Sequence, residues 1–299
     1  MTAKEKYHRG VSEAFGFRPD VQSNEGQECW RNYQCPYLHR RCVKRSQHRG
    51  YDAAVPFGAC SVWHRGEGLE QPAPYIICPF RFLEDDRIFQ DARGCLPSRE
   101  GCEAFVVPAV NLPLGRLDYV LCAYDKRLAS VVDFVVMEVM ACSTTSTGDV
   151  LRSLHAILKG RDTPGPLKYG INFRQVISRM AVQGVVKAQT CGFWGKPLIW
   201  VIQDVLYTYI TSVTRLDLSP LPTDSLQDPS IRPAIMFLIY TLTYEQPGPR
   251  FRLRMRGALG GTLRDFSNLV ETKIHLRPER LAQVLGERIK TNDRVIPLV

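Results

Sequence analysis

No apolar run in this 299-residue chain reaches the 18 or so residues that a bilayer crossing needs. Nor does an apolar segment follow the polar, basic stretch Met1–Gly10, which argues against a signal peptide and for a cytoplasmic protein with no membrane partner. Internal repeats and low-complexity tracts are absent too. Acidic residues are in deficit: 30 Asp and Glu against 39 Lys and Arg leave a formal charge of +9. Such a surplus suits a polyanionic partner, because neutralised phosphates release their counterions, although a merely basic soluble protein carries it equally well.

What the chain does have is cysteine, ten in all. Without an export signal these are not expected to form a disulfide framework. Five of them, Cys29, Cys35, Cys42, Cys60 and Cys78, fall within one 50-residue stretch that is rich in charge and glycine and poor in periodic apolar residues. A segment of that kind buries too little surface by itself, so a metal is a plausible organiser. The compact paired CxxC spacing is missing, and buried free thiols are the plain alternative. Cys35, Cys42, Cys60 and Cys78 are the preferred tetrahedral set, with zinc the default ion. Cys29 ranks fifth because its neighbour Trp30 reads as packing, and His39, His48 and His64 are further substitutes. Among these ligands stand Arg40, Arg41, Lys44, Arg45, His48 and Arg49, which either present charge to DNA phosphates and guanine edges or form a solvated loop.

From about Phe105 the texture changes. Leu117–Ala123 and Val131–Ala141 are apolar and β-branched, and Leu198–Ile202 and Ala234–Tyr240 read as further buried strands. Asp149 is expected to cap one helix and Asn172 another, with Gln175 at the capping-box position of the second. Pro278 suits the first turn of a last helix with Leu281, Val284, Leu285 and Ile289 inward. The proline-rich stretch Asp217–Pro233 reads as a loop. Together these predict an α/β (α+β) protein with an N-terminal cysteine region over residues 1–95 and a sheet-and-helix core over 96–299.

Two acidic residues within apolar strands stand out. Asp118, in Gly-Arg-Leu-Asp, precedes Glu138, in Val-Met-Glu-Val-Met, by 20 residues. Adjacent strands carrying Asp and then Glu form the nuclease pattern written PD-(D/E)xK, whose carboxylates hold Mg2+ at a scissile phosphate. A structural ion pair of Asp118 with Arg116 is the alternative. Alternation places Glu138, Met140 and Cys142 on one face, with Met137, Val139 and Ala141 on the core-facing side. Met140 departs from the pattern, since it stands where such sites place lysine. Gln183 and Lys187, on the helix after Asn172, are candidates to fill that role, and Glu103 is a candidate third carboxylate. Further on, Arg250, Arg252, Arg254 and Arg256 alternate with apolar residues, as a strand with one basic, DNA-facing side would. Edge protection by charge is the other reading of that stripe.

Phe15-Gly-Phe17, the CP…CxK text from Cys35 to Lys44, Gly58-Ala-Cys-Ser-Val62, Cys78-Pro-Phe-Arg-Phe82 and Gly115-Arg-Leu-Asp118 together resemble the NotI-type restriction endonucleases over roughly Phe15 to Thr147. This resemblance implies a PD-(D/E)xK core with an N-terminal metal module, acting as a homodimer on palindromic DNA in a prokaryotic cytoplasm. It implies that Cys35, Cys42, Cys60 and Cys78 hold iron rather than zinc, and that Asp118 and Glu138 are the catalytic acids. The family tends to carry Gln where Met140 stands. A GC-rich site centred on GGCC, shared with a cognate methyltransferase that is not itself bound, follows by analogy. A metal-stabilised DNA-binding protein with weak or no cleavage is the alternative that Met140 keeps open.

Overall fold

The apolar, β-branched runs lie side by side in a computed structural model, which describes residues 10–45, 55–66, 71–96, 100–113, 115–161, 167–222, 233–244, 248–274 and 277–291. His48 and Arg49 lie outside the described residues. In chain order the elements are β1 (Gly10–Ala14), α1 (Asn24–Asn32), β2 (Gln34–Cys35), β3 (Arg40–Arg41), β4 (Ala59–His64), β5 (Ala73–Ile76), a 3-10 segment Pro79–Asp86 and α2 (Arg87–Ala92). The second part comprises β6 (Cys102–Leu112), β7 (Gly115–Asp125), β8 (Ser130–Met140), α3 (Thr147–Leu158), α4 (Phe173–Phe193), β9 (Leu198–Gln203), α5 (Asp204–Val213) and β10 (Ser219–Leu221). The chain continues through β11 (Ile235–Tyr244), β12 (Phe251–Gly261), α6 (Leu263–Ser267) and α7 (Pro278–Thr291).

The main sheet has seven strands in the order β10-β12-β11-β9-β8-β7-β6. Its centre is parallel, β8 beside β9 and β9 beside β11, while the outer pairs are antiparallel. A separate antiparallel sheet, β1-β4-β5, and the short ribbon of β2 and β3 carry the cysteine region. The mixed central sheet flanked by helices agrees with the predicted class.

Both faces of the main sheet are covered, which corrects the expectation that the Glu138 face of β8 points away from the core. Val136, Met140, Trp200 and Phe237 pack on that face beneath Val176, Met180 and Ala188 of α4 and Phe266 of α6. Met137, Val139, Val201 and Leu238 pack on the other face against Phe82, Ile88 and Ala92. Central parallel strands that lie between two layers read as unbroken apolar runs, and an acidic residue among them has no solvent to escape to.

Local corrections follow from what each helix end touches. Asn172 does cap α4, its side chain accepting from the Gln175 N–H at 3.3 Å. Gln175 does not close a capping box; its Oε1 accepts from Ser143 Oγ at 2.7 Å instead. Helix α3 starts two residues before Asp149, whose carboxylate accepts from Arg152 at 2.5 Å and from the Lys168 N–H at 2.6 Å. The expected loop after Asp217 holds the short strand β10, and residues 223–232 within it lie outside the described residues. α7 does begin at Pro278, yet Leu281 and Leu285 are exposed rather than inward.

Candidate active site

The β7–β8 hairpin sets the geometry. Tyr119 pairs with Met137, so Asp118 and Glu138 stand one position further along the same antiparallel register. There each carboxylate bonds to the opposite strand. Val139 N–H donates to Asp118 Oδ2 at 3.1 Å, and Asp118 N–H reaches Glu138 Oε1 at 3.4 Å. Glu138 also lies beside Trp200 in the parallel register with β9. Asp118 is half-buried, while Glu138 is buried at 3 % exposure.

Helix α4 closes the other side. Arg179, Gln183 and Lys187 recur every four residues, which on a helix forms one stripe, and all three line a pocket with Arg116, Asp118, Glu138, Met140 and Trp200. Arg179 and Gln183 are exposed, whereas Lys187 is buried. Lys187 Nζ donates to Glu138 Oε2 at 2.6 Å and to the Arg116 carbonyl at 2.8 Å. Gly184 makes this approach possible: a Cβ there would stand 2.5 Å from Phe266 Cζ and 3.1 Å from Trp200 Cζ2. Burial pushes the Glu138 carboxyl up to about 7; the Lys187 hydrogen bond opposes the shift and the neighbouring Asp118 charge adds to it.

Glu103 is not brought to this pocket. It lies on the edge strand β6 opposite Tyr124, six residues along β7 from Asp118, or about 20 Å at strand rise. There it forms an exposed ion pair with Lys126.

The pocket brings two carboxylates together with three cationic side chains, and a family model described as restriction endonuclease NotI matches residues 27–253. The chain belongs to this family. It is a site-specific deoxyribonuclease, a hydrolase that binds and cuts double-stranded DNA. No curated protein matches it.

In this NotI-family enzyme the cysteine region has a definite pattern. Cys35, Cys60 and Tyr37 share a small core against which Cys42 packs; burial raises the Cys35, Cys60 and Cys78 thiols, and their cysteine neighbours add to the shift. The Cys35 thiol is pushed up to about 11; backbone N–H groups of the two Cys-Pro turns, those of Tyr37 and Leu38 at Cys35 and of Phe80 and Arg81 at Cys78, oppose the shift in part. Gly58 lets the strand with Cys60 pass over Phe15: its φ is +65°, and a Cβ would meet the ring at 2.4 Å. Cys29 instead belongs to the main core, beside Arg250, Glu25 and Glu28. Among the described residues no group of three or more His, Cys, Asp or Glu is arranged tightly enough to hold a metal ion as it stands.

The basic side chains divide by what they touch. Arg40, Arg41 and Arg45 are exposed, with Arg41 over the Tyr33 ring at 5.7 Å. Lys44 is turned inward, donating to the Ile77 carbonyl and lying 4.6 Å from the Phe57 ring centre. On β12, Arg252, Arg254 and Arg256 are exposed and alternate with buried Phe251 and Leu253, as the spacing predicts. Among the described residues β10 pairs with residues 258–260, and beyond it the β12 edge meets the 3-10 segment: Leu253 N–H donates to Glu84 at 2.8 Å and the Phe251 carbonyl accepts from Arg81 at 2.9 Å. Arg252 pairs with Glu84 at 3.3 Å and Arg256 with Asp204 at 3.0 Å.

Proposed function

We propose that this endonuclease makes Mg2+-dependent double-strand cuts at a palindromic, GC-rich site centred on GGCC, as a homodimer that brings one pocket to each strand. The reading is carried by Asp118 and Glu138 held side by side in a pocket whose opposite wall is the basic stripe of α4. Carboxylate oxygens are the donors that Mg2+ prefers. When bound, the ion lowers the pKa of an attacking water and offsets charge on the phosphoryl oxygens. The chain's own contribution is orientation. Val139 N–H fixes the Asp118 carboxylate, and Lys187 fixes that of Glu138. Arg116 and Arg179, exposed at the pocket, suit phosphates flanking the scissile one. Hydrolysis adds the water oxygen to phosphorus and breaks one bridging P–O bond. The attacking water gives up a proton to solvent, and the bridging oxygen takes a proton from solvent as it leaves, becoming a hydroxyl.

The exposed Arg40, Arg41, Arg45 and Arg254 are assigned to DNA contact, and Arg252 shares its charge with Glu84. Cys35, Cys42, Cys60 and Cys78 are assigned to one structural ion, iron by family resemblance or zinc by default. The small core that Cys35 and Cys60 share, with Cys42 packed against it, supports this. The boundary near residue 95 then separates a metal-organised module from the nuclease core. A methyltransferase modifying the same site in a prokaryotic cytoplasm completes the system without binding this chain.

Digestion of a phage genome with Mg2+, followed by mapping of the ends, tests the activity and gives the site. Asp118→Ala and Glu138→Ala proteins that remain folded are expected to cut about 100-fold more slowly or worse; cutting at the parental rate would remove the active-site assignment. Elemental analysis is expected to find one tightly held ion per chain, kept in Cys29→Ala and lost in Cys60→Ala.

A further inference from the structure

We infer that Lys187, on helix α4, does the work of the strand lysine that Met140 displaces. The inference rests on the reading of Asp118 and Glu138 as the catalytic acids. In a strand-borne arrangement the lysine follows its glutamate by two residues on the same face, and here that position is a buried Met140 at 3 % exposure. A thioether has neither a charge nor a proton to place on a phosphate. The Lys187 ammonium enters the same pocket from the layer above, 2.6 Å from Glu138 Oε2 and 2.8 Å from the carbonyl of Arg116. An ammonium has three donors. Two are engaged with β7 and β8, and the third remains for a phosphoryl oxygen or for the attacking water beside it.

Three observations favour Lys187 over the other candidates for this role. Gln183 lines the pocket from one turn earlier on α4 but is exposed and uncharged. Arg116 and Arg179 are charged but exposed, where solvent screens them. Only Lys187 among the pocket's cations is buried against a carboxylate, where its charge acts through little water. Its position is also held on purpose-built packing: the close contact of Gly184 with Phe266 and Trp200 seats the helix turn from which it projects. In the reaction the ammonium keeps its proton. It stabilises the negative charge that builds on the phosphoryl oxygens as water adds and the bridging P–O bond breaks.

The test compares Lys187→Met, the double variant Met140→Lys/Lys187→Met, Gln183→Ala and Asp118→Ala in the full-length protein. Three quantities are read: single-turnover cleavage with Mg2+, binding of a site-containing duplex with Ca2+ in place of Mg2+, and the thermal midpoint. Lys187→Met is expected to cleave at least about 100-fold more slowly while binding DNA with Ca2+ within threefold of the parent. Returning the lysine to the strand is expected to recover at least tenfold of that loss, and Gln183→Ala to cost less than tenfold. Cleavage by Lys187→Met within threefold of the parent overturns the inference. So does a loss of Ca2+-dependent DNA binding as large as the loss of cleavage, which marks a structural role. If Lys187→Met fails to fold, the double variant decides: folded and bound to DNA but uncleaving, it overturns the inference. Full cleavage by Asp118→Ala would instead bring down the underlying reading of the two acids.

Discussion

Two glycines on the same helix should respond to alanine with opposite signs. Gly184→Ala places a Cβ 2.5 Å from Phe266 Cζ, 2.7 Å from Phe266 Cε1 and 3.1 Å from Trp200 Cζ2. Neither ring can retreat easily, since Phe266 is 0 % and Trp200 1 % exposed. Overpacking of this kind costs about 1–3 kcal/mol, while alanine's helix propensity returns about 1 kcal/mol. The net is a destabilisation of roughly 0–2 kcal/mol. Gly192→Ala meets nothing within 4 Å at an exposed position, so only the propensity gain remains, about 0.5–1 kcal/mol in the stabilising direction. Urea denaturation of both variants measures the difference, expected at about 1–3 kcal/mol between them. Single-turnover cleavage adds a second readout. Lifting α4 from the sheet lengthens the Lys187–Glu138 contact, so Gly184→Ala should lose rate and Gly192→Ala should not. Equal stabilities and equal rates would show that α4 is not seated through Gly184.

A buried ionic knot gives another test. Arg81, wholly buried, donates to Glu13 at 2.8 Å, to Glu84 at 2.6 Å and to the Phe251 carbonyl at 2.9 Å, tying β1, the 3-10 segment and β12 together. Arg81→Met strands two carboxylates and should cost about 3–5 kcal/mol, read as a fall in the urea midpoint; a change below 1 kcal/mol would contradict the geometry. pH provides a third test. Burial against Tyr75 and Phe173 lowers the His64 pKa below its ordinary 6.5, so the folded state resists a proton that the unfolded state accepts. The His64 contribution is thus complete above pH 6.5 and is lost as pH falls through 6.5 toward the folded value. His64→Phe should lose less stability than the parent between pH 7 and 5, and identical losses would refute the assignment.

Much of the core was legible because its strands are central. A strand covered on both faces must be apolar throughout, and Leu198–Ile202 and Ala234–Tyr240 announce themselves in that way. β6 does not, because an edge strand keeps Phe105 and Val107 exposed and alternates too weakly to separate from a loop. The same limit explains α7: its stripe has the spacing of a buried face, but spacing carries no information about what covers it. Glu103 shows the limit for a site. Its distance along the chain from Asp118 is modest, yet an antiparallel hairpin turns sequence proximity into separation along the strands.

Lys187 marks the boundary of what spacing can deliver. The four-residue recurrence of Arg179, Gln183 and Lys187 is visible in the sequence, and it says that the three share a stripe. It does not say which of them is buried, because burial depends on how closely the helix lies against the sheet at each turn. That closeness is set by Gly184, which touches none of the reacting groups. An apolar strand with Met where a lysine is expected therefore does not by itself leave the pocket without a buried cation. The charge has entered from a different layer, 49 residues along the chain from Glu138, at the helix turn that a missing side chain allows to descend.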